Sequence, residues 1–306
     1  MIKGKYIFKQ NGEIIAEKEN ILTSNGINMI NRYLTDSAVD WAGSIAVGAL
    51  YTVSASTDTS LAYEVGRSNV QLKTYRTTSG SNQIILKASL DPQLIASIYE
   101  IGVYPQNLDP SSLADNYYIS DFSEIFGSSS VSSWKIGSSV ATATNTLTRN
   151  TSRSGTYNIL VPTGSVAYRS GFNLDISDFD QNDYLQVLYF VSATSTAPSL
   201  SVSLKDSASL AWNSSTAALT TSATGYYTAS LSLTSLPDAG FSGLLDSVTL
   251  SLSGGTGSVT FDSIKIMSGN PKNVEEILVS RSSSTSPLII KQYGQAVDIE
   301  YYLTVT

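Results

Sequence analysis

The 306-residue chain contains no cysteine and no histidine. The first absence removes disulfide frameworks, thiol nucleophiles and cysteine-ligated metals. The second removes Ser-His and Cys-His machinery, histidine-ligated zinc and imidazole acid–base chemistry. Charge is scarce too, at 14% of residues, with 18 basic against 25 acidic side chains and a formal net charge of −7. No run of Lys and Arg occurs, so the clustered phosphate neutralisation behind nucleic-acid affinity is missing and no nucleic-acid partner is expected. No stretch of about 18 apolar residues is present, so no membrane insertion is expected. The opening MIKGKYIFKQNGEII alternates and turns instead of presenting a basic and then apolar leader, and synthesis without a signal peptide is expected.

What is present is the composition of a folded protein. Hydrophobic residues make up 42% of the chain, too many for disorder, and the length suffices for two ordinary domains. The runs KYIFKQ and EIIAEK, joined by Asn11-Gly12, predict a β-hairpin over residues 3–18, because Asn-Gly supplies the positive φ angles of a type I′ turn. The segment ILTSNGINMINRYLTDS predicts a short helix. Ile27, Ile30, Tyr33 and Leu34 share one face of it, and Thr23, Ser24 or Asn25 can cap it. The runs SIAVGALYTV, NVQLKTYRT, NQIILKASL and SIYEIGVYP predict short strands.

After about residue 122 the composition changes. Residues 128–270 hold 50 Ser or Thr among 143 and none of the nine Glu; Lys135, Arg149, Arg153, Arg169, Lys205 and Lys265 are their only basic residues. SLSVSLKD, YYTASLSLTSL, SVTLSLSGG and SVTFDSIKI alternate apolar residues with hydroxyls, the pattern of strands with one buried and one wet face. A disordered Ser/Thr stalk would lack such regular apolar partners. After residue 272 the composition of the opening segments returns, with Glu275 and Glu276. The simplest organisation is one β domain made of residues 1–121 and 273–306, with a second β domain, 122–272, inserted at a surface loop.

The outer pieces carry an ordered set of motifs: NILTSNGINMINRYL, AVGA with STDTSLAYEVGR, LKASL with IYEIGVYP, and ILVSRSSSTSPLIIKQYGQAVDIEYYLTVT. This set resembles a domain of tailed-bacteriophage virion proteins, particularly tail-fibre and baseplate-associated ones, over roughly 150 residues in two pieces. SSWKIGSS, SGTYNILV, LDISDFDQNDYLQVLYFV, VSLKDSASLAW, TGYYTASLSL and GSVTFDSIKI of the insert resemble jelly-roll, carbohydrate-binding-module-like sandwiches. Tyr226 and Tyr227 stand where that family often has Trp. The expected fold class is therefore all-β: a β-sandwich outer domain with one short helix, plus an inserted jelly-roll β-sandwich.

Candidate sites follow from residue chemistry. In the stretch 58–67, DTSLAYEVGR, Glu64 and Arg67 stand three residues apart; Glu100 and Arg281 are the other prominent acid and guanidinium of the outer pieces. No second carboxylate or cofactor motif converges on them, so they are expected to hold loops through bidentate ion pairs. Asp175, Asp178, Asp180 and Asp183 lack the spacing and glycine of an EF-hand calcium loop and read as an acidic turn. At Asp262, the jelly-roll resemblance implies a structural calcium; the alternative is a hydrogen-bonded turn acid. Trp134, Trp212, Tyr168, Tyr189, Tyr226 and Tyr227 are the insert's large aromatics. Trp212, Tyr168 and Tyr189 are the candidate ligand platform, with core packing as the competing role, and Tyr226 or Tyr227 is expected to replace a core aromatic. Glycine runs lack the Walker lysine, so phosphate binding is not expected.

The resemblance implies a structural component of a bacteriophage virion, in the tail, baseplate or capsid decoration, assembled in the host cytoplasm. Other virion proteins would be its partners, in many copies or as a homo-oligomer. The insert would project outward, adhering weakly and multivalently to the host surface. The alternative function is a glycan- or receptor-binding module that itself recognises the host. Glycoside hydrolysis needs two opposed carboxylates. No such pair is identifiable, so no enzymatic activity and no cofactor beyond a structural calcium are expected.

Overall fold

The computed structural model describes residues 2–35, 40–78, 81–105, 116–120, 122, 134–145, 153–155, 158–192, 196–220, 223–233, 236–269 and 278–305. Position 272, Arg149, Glu275 and Glu276 lie outside these residues. The chain divides into two all-β units, Met1–Ser111 with Asn273–Thr306, and Ser112–Lys272. The first break thus precedes the change in composition at residue 122. Asn116–Ser120 pairs with Ser258–Met267 and so belongs to the second unit.

In the first unit, five antiparallel strands run in the order Glu13–Glu19, Ile2–Gln10, Val297–Val305, Ser81–Leu90 and Leu72–Thr78. Asn11 and Gly12 take φ angles of 52° and 85°, as the predicted hairpin turn requires. Along Val297–Val305 the buried Ile299, Tyr301 and Leu303 face the core, while Asp298, Glu300 and Tyr302 take the other face. On that outer face the Glu300 carboxylate receives Lys9 Nζ and Lys87 Nζ at 2.8 Å each and the Tyr302 hydroxyl at 2.6 Å. Burial alone would raise its pKa, but these three donors hold it down to about 2.

A second sheet runs Ile21–Leu22, Ser280–Ser283, Glu100–Tyr104, Ser44–Gly48 and Glu64–Asn69. Ser44–Gly48 and Glu100–Tyr104 are buried on both faces. The helix spans Ser24–Leu34, with the Thr23 hydroxyl accepting from Gly26 N at 2.8 Å. Its buried side differs from the predicted one. Gly26 and Met29 are buried, whereas Ile27, Tyr33 and Leu34 are exposed. A side chain at Gly26 would collide with the Val279 backbone, so the helix packs down on its glycine.

The second unit is a jelly-roll sandwich. One sheet orders Asn116–Ser120, Ser258–Met267, Tyr184–Val191 and Gly225–Ser232, with Ile159–Pro162 also on Ser258–Met267. The other is built on Val166–Asp175, Leu244–Ser253 and Ser199–Asp206, continued by Lys135–Gly137 and Thr144–Asn145 on one side and Ala211–Asn213 on the other. Leu200, Val202 and Leu204 alternate into the core with Leu245, Val248, Leu250 and Leu252 beside them. The intervening residues form cross-strand hydroxyl pairs, Ser201 with Ser251 and Ser203 with Thr249, on the outer face. The Ser/Thr alternation is therefore the wet face of a sheet.

Candidate functional site

The four residues expected to staple the first unit form two separate pairs on one face of its second sheet. Arg67, Ala46, Gly102 and Arg281 are in register across four neighbouring strands. Arg281 donates from Nε and Nη2 to Glu100 Oε2 at 3.1 and 2.6 Å, and from Nη1 to Asp58 Oδ2 at 2.7 Å. Glu100 also accepts from Tyr63 N at 2.8 Å and Ala62 N at 3.0 Å, so it closes the 49–63 loop over the sheet. Burial pushes its carboxyl above the ordinary value of 4.5, while Arg281 and these amides pull it back. Gly48 lies against the Glu100 carboxylate, where a side chain would intrude. Arg67 forks onto Glu64, with Nε–Oε1 2.9 Å and Nη2–Oε2 2.8 Å, and its guanidinium lies 4.0 Å above the Tyr104 ring. Sequence reasoning missed Asp58 as the third member, although it opens the stretch that holds Glu64 and Arg67.

In the second unit, Asp262 is wholly buried. Its Oδ1 accepts from Ser154 N at 2.9 Å and Ser154 Oγ at 2.5 Å, and its Oδ2 from Arg153 N at 2.8 Å. Both oxygens thus accept protein donors, the arrangement of the hydrogen-bonded turn acid that is the alternative to calcium. No group of three candidate metal ligands occurs among the described residues. Asp180 and Asp183 make an acidic turn, with Asp180 N donating to Asp183 Oδ2 at 2.7 Å. Asp183 Oδ1 accepts from Gly269 N at 2.9 Å.

The aromatic platform needs correction. Trp212 is 3% exposed and Tyr189 1%, so neither presents an open face. The register of Trp212 opposite Leu204 turns its indole into the core. Tyr189 takes a backbone hydrogen bond from Thr220 N at 2.8 Å on its hydroxyl. Trp134 is buried and donates from Nε1 to Ser120 Oγ at 3.2 Å. Tyr168 is half-buried on the hydroxyl-rich face beside Thr249. Of the two adjacent tyrosines, Tyr227 packs against the core and Tyr226 turns outward to Phe190, ring centroids 5.1 Å apart.

Trp212 nevertheless reaches a cavity. Turn 176–183 carries the chain from the larger sheet to the smaller one, and turn 233–243 carries it back, both at the same end of the sandwich. Ile176 N donates to Gly243 O at 2.8 Å and ties them together. Gly243 has φ +76°, and a side chain there would sit 2.7 Å from Ser177 Cβ, so glycine is required. Between the turns lies a cavity of 330 Å³ walled by Ile176, Phe179, Trp212, Leu236, Pro237 and Phe241. Ser177, Asp180, Gln181 and Ser242 supply its polar rim. Trp212 meets Phe241 edge-on at 6.1 Å. The sequence signal for Phe241 is an aromatic residue set among the turn residues of PDAGFSG.

No family model matches the chain, and no curated protein matches it. Among solved structures, it is similar to the family 11 carbohydrate-binding module of a cellulosomal cellulase of Clostridium thermocellum, with 13% identity, TM-score 0.30, 51% of this chain and 96% of that one. It is also similar to the C-terminal family 6 module of a laminarinase of Zobellia galactanivorans, with 11% identity, TM-score 0.26, 39% of this chain and 86% of that one. A match to PfGH50B, with 9% identity and TM-score 0.32, covers 46% of this chain and under a quarter of that protein, 23%. No ligand or activity follows for this chain from likenesses of that size.

Proposed function

We propose that the second unit is a glycan-binding module and that the cavity between its two sheet-crossing turns is the site. The observation that carries this reading is the cavity's mixed lining. Leu236 and Phe241 offer apolar surface, backed by the buried Trp212, and Ser177, Asp180, Gln181 and Ser242 offer hydroxyl, carboxylate and amide groups at the rim. A sugar ring presents the same division, with C–H faces and equatorial hydroxyls. The volume of 330 Å³ sits at the low end of small-molecule sites, about 300–1,000 Å³, and suits a chain end rather than a long polysaccharide. Asp180 is the one carboxylate in the lining, which supports binding without hydrolysis, since glycosidases work with a pair.

The test is a glycan array probed with the whole chain coupled to beads, because multivalent display reveals contacts too weak to register singly. Calorimetry on any hit then compares the wild type with Phe241→Ala and Leu236→Ser. Leu236 is 74% exposed, so its replacement leaves the fold intact. Both variants are expected to weaken binding about tenfold or more. A blank array, or hits indifferent to both changes, overturns the reading.

A second reading concerns the first unit. Motif residues from three distant segments, Asp58, Glu100 and Arg281, meet there, with Arg281 bridging the two acids, and Thr23 Oγ1 of a fourth donates to Leu278 O. That convergence and the resemblance to tailed-phage domains support an attachment role on a virion, with other virion proteins as neighbours. Electron microscopy of particles carrying the labelled chain tests it; label absent from intact particles removes the virion role.

A further inference from the structure

We infer that the cavity selects its sugar by charge, ranking an amine-bearing sugar above a neutral one and a neutral one above a carboxylated or sulfated one. This rests on the glycan reading of the same cavity. The lining itself holds one charged group, Asp180, whose Oδ1 accepts from Asn182 N at 2.7 Å. Its Oδ2 makes no hydrogen bond among the described residues.

The surroundings reinforce that carboxylate. Asp175 and Asp206 end the two strands that arrive at this pole, and Asp178, Asp183 and Asp238 lie in its turns. Asp178, Asp180 and Asp238 are exposed. Between Arg169 and Lys265 the chain has one basic residue, Lys205. Lys205 follows the core residue Leu204 along its strand and so lies on the opposite, outer face. Lys265 is wholly buried, between the core residues Ile264 and Ile266. Among the described residues, the cavity is therefore an apolar pocket rimmed by a carboxylate, with further carboxylates in the surrounding turns. These carboxylates favour a cation and repel an anion, and the apolar walls keep water from screening the interaction fully. A like charge brought to such a site is a rejecting element.

The experiment uses the whole chain and matched sugars on one skeleton: a glucosamine disaccharide with free amines, its neutral N-acetylated form, and a glucuronate-bearing disaccharide. The same triad is repeated on whichever skeleton the array identifies. The expected result is affinity falling in that order by about tenfold or more between the extremes at low salt, and converging in 1 M salt, where screening is short-ranged. Asp180→Asn keeps the acceptor for Asn182 N and removes the charge. It is expected to narrow the affinity gap between the carboxylated sugar and the neutral one about as far as high salt does, whatever it does to the absolute affinity of either. Carboxylated sugars binding as well as neutral ones, or a ranking untouched by salt and by Asp180→Asn, overturns the charge inference while leaving a glycan site in place. No binding by any sugar removes both.

Discussion

Arg281 and Glu100 stand 181 positions apart in the chain and meet at 2.6 Å, with 2% and 0% of their surfaces exposed. One cross-strand row holds both Arg281 and Arg67, so two forked guanidinium–carboxylate pairs share a sheet face but not an environment. The side chains of Arg67 and Glu64 keep 25% and 12% of their surface in water.

Arg281→Ala is expected to destabilise the first unit by about 3–5 kcal/mol, because it leaves a buried carboxylate with only amide donors. Differential calorimetry should show the first unit's transition lowered and the second's unmoved. A loss under about 1 kcal/mol would contradict the assignment. Pairing the change with Glu100→Gln should recover part of the loss.

Arg67→Ala is expected to cost far less, about 1 kcal/mol or below for a partly exposed pair, with roughly another 1 kcal/mol from its stacking on Tyr104. Urea titration of the single variants, at equal slope, checks the ordering of Arg281 over Arg67.

How much of the structure is legible in the sequence depends on range. The Asn11-Gly12 hairpin, the Thr23 cap and the Glu64–Arg67 pair are local, and their residue types state them. Periodicity places the helix correctly but rotates it wrongly, because Gly26 carries no hydrophobic signal and yet decides which side touches Val279. Trp212 sits among small polar residues in SLAWNSS and reads as exposed; only its register against Leu204 turns it inward. The cavity needs two turns more than fifty residues apart to be tied together, and nothing local announces that.

Glu300 gives a pH dependence of known sign. Its folded carboxyl titrates at about 2 against an ordinary 4.5, so the folded state binds that proton more weakly than the unfolded one. The stabilisation is therefore whole above pH 4.5, shrinks as pH falls, and is gone below about 2. The melting temperatures of wild type and Glu300→Gln should differ at neutral pH and converge through that window. A constant difference down to pH 2 would rule it out.

Asp262→Ala should lower the second unit's melting temperature by freeing the 153–154 segment from its three hydrogen bonds, at about 1–3 kcal/mol for the donors left behind. Chelation of calcium should shift neither protein. A chelator-dependent drop in the wild type would restore calcium to that position.

Residues 112–272 produced alone are expected to unfold in one cooperative transition, since the core of Ile119, Phe172, Leu204, Leu250 and Phe261 lies wholly within them. Gradual, non-cooperative loss of structure on heating would show instead that the unit depends on the rest of the chain.

The pairing of Asn116 with Met267 sets the strands by which the chain enters and leaves the second unit side by side. Asp183 then fastens the exit at Gly269 to the turn that carries Asp180 and Gln181. Mechanical tension between the flanking chain and anything held against Asp180 or Gln181 would thus run from the rim to Gly269 through that turn. The force would bypass the interleaved core, and the sandwich could bear a pull without being drawn open strand by strand.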